Sequence, residues 1–158
     1  MSDDPRWLST PELSTWMSLT YMLSMLPASL GDQLQRDCDL SFTEYYVLAG
    51  LSDAPERRMR MSQLALFANA ELSRLSHMVS RMEKRGFVRR QPDPDDGRYT
   101  QAILTDVGLE HLRVAAPGHV ARVRELVFDA LSPAEVATLH TITEKINQRI
   151  NPDACGTP

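Results

Sequence analysis

Positions that suit a buried face recur every three or four residues along most of this chain. Leu13, Trp16, Thr20, Leu23, Pro27, Leu30 and Leu34 form one such series, and Tyr45, Leu48 and Leu51 a second. Leu72, Leu75, Val79 and Met82 form a third, Leu109, Leu112, Val120, Val123 and Val127 a fourth, and Val136, Leu139, Ile142, Ile146 and Ile150 a fifth. That spacing predicts helices, each with one stripe to bury. Start signals agree with the series. Ser9 and Glu12, with Pro11 between them, have capping-box spacing, as do Ser41 with Glu44 and Ser132 with Glu135. Ser62 is expected to open a short helix and Thr105 to cap a long one. Pro27 and Gly31 are expected to bend the first helix, Pro117 and Gly118 to interrupt the long helix that Thr105 caps, and residues 52–60 to be a polar connection.

Between Ser62 and Thr105 the order of elements is specific. A short helix and a turn lead into the helix of the third series, which Gly86 closes because a left-handed residue costs glycine almost nothing. Phe87 to Gln91 then reads as a strand, Pro92 to Gly97 as an acidic turn and Tyr99 to Leu104 as the returning strand. The predicted fold class is mainly α with a small β-hairpin wing (α+β): a winged helix-turn-helix flanked by N- and C-terminal helices.

The chemistry of the second helix of that pair raises the reading above mere packing. Away from its apolar stripe it carries Ser73, Arg74, His77, Arg81 and Lys84, with no acid between Ser73 and Met82. Arginine bidentate to guanine, and short hydroxyls to bases or phosphates, are the usual major-groove contacts. Ser73, Arg74, Ser76, His77 and Arg81 are therefore the candidate recognition-helix contacts. Arg98, beside the hairpin tip, is the candidate for a narrow minor groove, where negative potential concentrates. The plainer role for Arg98 is an ion pair with Asp95 or Asp96 that stiffens the loop. Both roles are compatible, since an acid that orients an arginine also preorganises it.

The run LSRLSHMVSRMEKRGFVRRQPDPDDGR followed by LTDVG resembles the recognition helix, wing and next helix of the multiple-antibiotic-resistance regulator (MarR) family of bacterial transcription factors, and is similar to its actinobacterial type. The resemblance extends from about Glu12 to Ile150. Asp96 and Arg98 match the family's Asp-Arg wing, with Asp96 as wing support, while Gly97 stands where some members have a further arginine. The resemblance implies a ligand-responsive repressor that binds a pseudo-palindromic double-stranded DNA operator as a homodimer. Residues 37–105 would be the DNA-binding region, and 1–36 with 106–158 the helical dimerisation region, in one intertwined domain. It also implies a small aromatic or phenolic effector in a cleft beside the dimerisation helices. Trp16, Met17, Tyr21, Met25 and Tyr45, with Tyr46, are the residues suited to line it, because aromatic and methionine side chains make adaptable apolar walls.

Charge supports the assignment once it is read locally. The 158-residue chain is formally −4, yet between Arg57 and Arg98 ten bases face five acids, or +5, which leaves −9 elsewhere. A basic module on an acidic protein is the pattern of a DNA-facing surface. No apolar run is long enough to span a membrane and the N-terminus is acidic, so a cytoplasmic protein is expected. No phosphate loop, dinucleotide fingerprint, nucleophile elbow or HExxH motif suggests an enzyme, and no cofactor is implied. His111 and His119 share a segment and His140 lies elsewhere, without the close spacing of a zinc site, so no metal is expected. Cys38 lies between Asp37 and Asp39, which disfavour a thiolate, just ahead of a helix start, which favours one; Cys155 lies near the end of the chain. The competing class is a winged helix used only for protein contacts, which would not need the Ser73–His77 face together with Arg98.

Overall fold

In the computed structural model, which describes residues 5–151, the three capping boxes open helices where the sequence places them. The Ser9 side chain accepts the N–H of Glu12, whose carboxylate accepts the N–H of Ser9 at 2.8 Å, and α1 follows over Thr10–Cys38. Ser41 with Glu44 opens α2 (Phe42–Asp53), and Ser132 with Glu135 opens α6 (Pro133–Ile150), in the same way. Each box satisfies amides that a first helical turn leaves without partners. Between them lie α3 (Met61–Phe67), α4 (Leu72–Lys84) and α5 (Asp106–Leu126). Gly86 ends α4 at φ +78°, so that the Phe87 N–H turns back to the Met82 carbonyl at 3.0 Å.

The hairpin is part of a larger sheet than expected. β2 (Val88–Pro92) and β3 (Thr100–Leu104) pair antiparallel, with Arg90 opposite Ala102. Arg58–Arg60, expected to be connection, forms a further strand, β1, on the other edge of β3, giving the order β1-β3-β2. Three residues, two of them arginine, carry no period of their own; the strand exists because β3 offers it an unpaired edge. Pro92 is tolerated because it ends an edge strand.

The chain divides into two compact units between His119 and Val120. In the first, Leu34, Leu40, Leu48, Leu51, Leu64, Leu75, Val79, Met82 and Val88 are fully buried, and Tyr45 is nearly so. Each such side chain contributes roughly 1.5–3 kcal/mol of transfer free energy. Residue 108 has to be glycine for this core to close: a Cβ there would sit 2.1 Å from the Phe87 carbonyl oxygen. Beside it the Thr105 hydroxyl donates to the Gly86 carbonyl at 2.6 Å and accepts the Gly108 N–H at 3.0 Å, capping α5 against the end of α4.

Two further expectations are corrected. The stripe of α4 is Leu75, Met78, Val79 and Met82, whereas Leu72, at the first position of the helix, is 52 % exposed. Met78 and Val79 are adjacent, so the buried arc is shifted away from Leu72. The break expected at Pro117 and Gly118 does not occur, and α5 runs unbroken through both. A proline costs one amide donor and crowds one carbonyl, which a long helix anchored at its start absorbs.

Outside the core, apolar stripes lie open. On α1, Leu13, Trp16, Met17, Tyr21, Met22, Leu23 and Met25 are exposed, and only Leu30, Gln33 and Leu34 are buried. On α6 no residue is buried, and Ile142, Ile146 and Ile150 are exposed.

A candidate nucleic-acid interface

Helix α4 presents a continuous polar face, because its buried arc is confined to Leu75, Met78, Val79 and Met82. Ser73, Arg74 and His77 are exposed, and Ser76 is half-buried. Among the described residues Arg74 has no carboxylate within 4 Å. Arg81 differs: its guanidinium approaches Glu44 of α2 at 3.9 Å, which draws it to the flank of the helix.

Three arginines border the space between α4 and the sheet, and each is braced from behind by a carboxylate. Arg98 donates through Nε and Nη2 to Asp96, at 2.9 and 2.6 Å, while its side chain remains 84 % exposed. The partner is thus Asp96 rather than Asp95. Arg90, on β2, reaches Glu83 of α4 at 3.0 Å, and a second amino group lies 3.5 Å from the Ser76 hydroxyl. Arg60, at the end of β1, donates through Nε to Asp93 at 2.5 Å and stacks over the Tyr99 ring at 4.6 Å. Bracing of this kind fixes a planar fork and reduces the side-chain entropy lost when it meets an anion.

Asp93 organises the wing. Its carboxylate is buried and accepts the N–H groups of Asp95 and Asp96, at 2.9 and 3.4 Å, as well as the Arg60 guanidinium. Arg60 foremost, then the Asp95 amide, hold the Asp93 carboxyl below the usual carboxylate range. Arg98 does the same for Asp96. The Arg90 backbone N–H, ahead of its guanidinium, lowers Glu83. All three acids therefore remain ionised well below neutral pH.

The three guanidiniums, with Ser62, Leu72 and Ser76, line one cleft of about 300 Å³ between α3, α4 and the wing. Arg98, Ser76 and Asp96 belong to the set read from sequence. Arg60, Arg90 and Asp93 do not, since ion pairs that span 33 residues, as Arg60 with Asp93, or seven across the turn after α4, as Arg90 with Glu83, leave no local trace.

The other singled-out residues lie elsewhere. Trp16, Met17, Tyr21 and Met25 are exposed on α1, and Tyr46 is exposed on α2. Tyr45 is buried, its ring 4.2 Å from that of His119. Burial lowers the His119 pKa, and its Nδ1 has no hydrogen-bond partner among the described residues. His111 instead bonds the Cys38 carbonyl at 2.8 Å and stacks on Phe87; His140 is exposed. Cys38 is the last residue of α1, four residues ahead of the first residue of α2, and burial first, then Asp37, raises its thiol pKa. Cys155 lies outside the described residues. No helix among them is long and apolar enough to cross a membrane.

Comparison with known proteins gives this arrangement its relatives. Residues 40–100 match the model of the MarR family. A HTH-type transcriptional repressor, IacR of Pseudomonas putida, is 30 % identical over 122 residues, covering 73 % of this chain and 67 % of the relative. Among solved structures, Sco3205 of Streptomyces coelicolor, a MarR family transcriptional regulator in complex with DNA, superposes with a TM-score of 0.90 at 43 % identity, covering 96 % of this chain and 95 % of that one. AbsC, another MarR family regulator of that organism, gives 0.87 at 36 % identity over 94 % of this chain and all of that one. Family model, curated relative and near full-length structural matches agree with the braced wing and the acid-free face of α4: the chain belongs to the MarR family of transcriptional regulators, and not to a family of enzymes.

Proposed function

We propose that this protein is a DNA-binding repressor that reads a pseudo-palindromic operator as a homodimer and is released by a small aromatic or phenolic effector. The observation that carries the DNA reading is the acid-free face Ser73–His77 beside an Arg98 that is braced by Asp96 yet open to solvent. Residues 37–105 form the DNA-binding region in this reading; residues 1–36 and 106–158 form the dimerisation region. The open stripes of α1 and α6 support the dimer, because exposed aliphatic rows of that length need a partner. A twofold dimer offers two recognition helices roughly 34–36 Å apart, one turn of DNA. Similarity to a repressor and to a regulator solved with DNA supports both parts.

In the proposed complex Ser73, Arg74, Ser76 and His77 meet the major groove with Arg81 at its edge, and Arg98 enters the adjacent minor groove. Arg60 and Arg90 reach phosphates between them. The effector cleft of this reading forms when a second protomer covers the α1 residues Trp16, Met17, Tyr21 and Met25 next to Tyr45.

Fluorescence anisotropy on the protein's own upstream intergenic DNA and on scrambled DNA of equal length, each at two salt concentrations, tests the proposal. Tight binding to the upstream fragment with a steep salt slope is expected. Arg74→Ala is expected to lose about 1–3 kcal/mol on the preferred site and to relax its sequence preference. Equal, weak binding to both DNAs would favour the protein-contact alternative.

A further inference from the structure

Leu72 does not fit its surroundings. It is a large aliphatic side chain, half exposed, at the first position of α4, next to Ser73, Arg74 and His77 on the helix and with Met61 and Tyr99 as the other large apolar side chains of the cleft it lines. The core closes without it, because the buried stripe of α4 is made by Leu75, Met78, Val79 and Met82. It lines the cleft one helical turn before Ser76, with Arg90 and Arg98 bordering the same space. A protein partner that covered Leu72 would have to bury these guanidiniums as well. A duplex meets both demands, giving phosphates to the arginines and, in the major groove, a single kind of apolar group to the leucine.

We propose that Leu72 is a specificity-determining residue that packs against the C5-methyl group of a thymine in each half-site. The proposal rests on the DNA-binding reading and adds to it a base and an atom. N-terminal residues of a recognition helix are those that meet base edges, and Leu72 is the first residue of α4. Among the four bases only thymine carries a methyl group on its major-groove edge, so the contact separates T·A from C·G without a hydrogen bond. Ser76, Arg90 and Arg98 fix the depth of the helix in the groove through polar contacts; Leu72 reads what lies beneath.

The test begins with a duplex enriched by the full-length protein from a random-sequence pool. Each thymine of the enriched site is then replaced in turn by deoxyuridine, which removes the methyl group and leaves the base pair. Anisotropy is expected to find one thymine per half-site whose replacement weakens wild-type binding about fourfold, the worth of one buried methyl, and ~15-fold when both half-sites are changed. Leu72→Ala is expected to bind the thymine site that much more weakly and to be indifferent to the replacement, while Leu72→Met retains most of the sensitivity. Replacing a cytosine placed at that position by 5-methylcytosine should recover affinity in the wild type and not in Leu72→Ala. A wild type indifferent at every thymine, or a Leu72→Ala variant with undiminished deoxyuridine sensitivity, would overturn the proposal while leaving the DNA-binding reading intact. Failure to enrich any sequence would overturn both.

Discussion

The helix stripes of residues 40–105 and those of α1 and α6 have the same period in the sequence and opposite fates in the structure. Leu48, Leu51, Leu75 and Val79 vanish into the core, whereas Leu13, Trp16, Ile142 and Ile146 stay open. Equal hydrophobicity therefore does not mean equal burial within one chain. The winged helix closes on itself because α2, α3, α4 and the sheet present their apolar sides to one another. The outer helices have length without enough facing surface, and the exposed aliphatic area is what association would remove from water.

Charges placed on the open stripes should have the largest effect. Replacing both Ile142 and Ile146 by glutamate is expected to convert the protein to a monomer by sedimentation velocity and to abolish tight operator binding, while circular dichroism keeps the helical signal of the winged helix. A wild type that sediments as a monomer at micromolar concentration would break the comparison at its root. Next comes the closed side. Leu75→Ala removes a fully buried side chain and is expected to cost about 2–5 kcal/mol in urea unfolding. A loss near that of a surface substitution would mean that the core is not where we place it.

Within the interface the contrast is between a reader and its brace. Arg98→Ala should weaken binding chiefly where the flanking minor groove is narrow, and unchanged affinity there would remove the wing role. Asp93→Asn should weaken binding on all flanks alike, because it loosens Arg60 and the loop together. If its loss depended on flanking sequence as that of Arg98→Ala does, Asp93 would be no more than a relay to Arg98.

The smallest expected effect is one of pH. His119 is buried against Tyr45, and its folded pKa lies below the ordinary histidine value. The unfolded chain thus takes up this proton first as pH falls through about 6.5, so stability is full above that value and declines below it until the folded site also protonates. Urea midpoints at pH 7.5 and 5.5 should differ less in His119→Gln than in the wild type. An identical pH slope in the two would assign the dependence to other groups.

Short-range chemistry was legible in the sequence. The boxes Ser9–Glu12, Ser41–Glu44 and Ser132–Glu135, the stop at Gly86 and the pair Asp96–Arg98 all join residues no more than five apart, so the interacting groups are visible in a single glance along the chain. So was the acid-free face of α4, since helical period alone sorts its residues into sides. Longer-range features were not. β1 is a strand because β3 lies beside it, Arg60 is braced because residue 93 folds back onto it, and Leu72 is exposed because the surface that α4 packs on covers Leu75, Met78, Val79 and Met82 and stops short of its first residue. Periodicity states that a helix has a face to bury, but the shape of the surface it meets decides where that face begins and ends. The sequence by itself determined the helices and the hairpin, their order and the polarity of the recognition helix; the tertiary structure decided the third strand, which arginines converge, which carboxylates hold them and which apolar side chains remain for another molecule to cover, because those outcomes depend on distances between parts of the chain that no local pattern encodes.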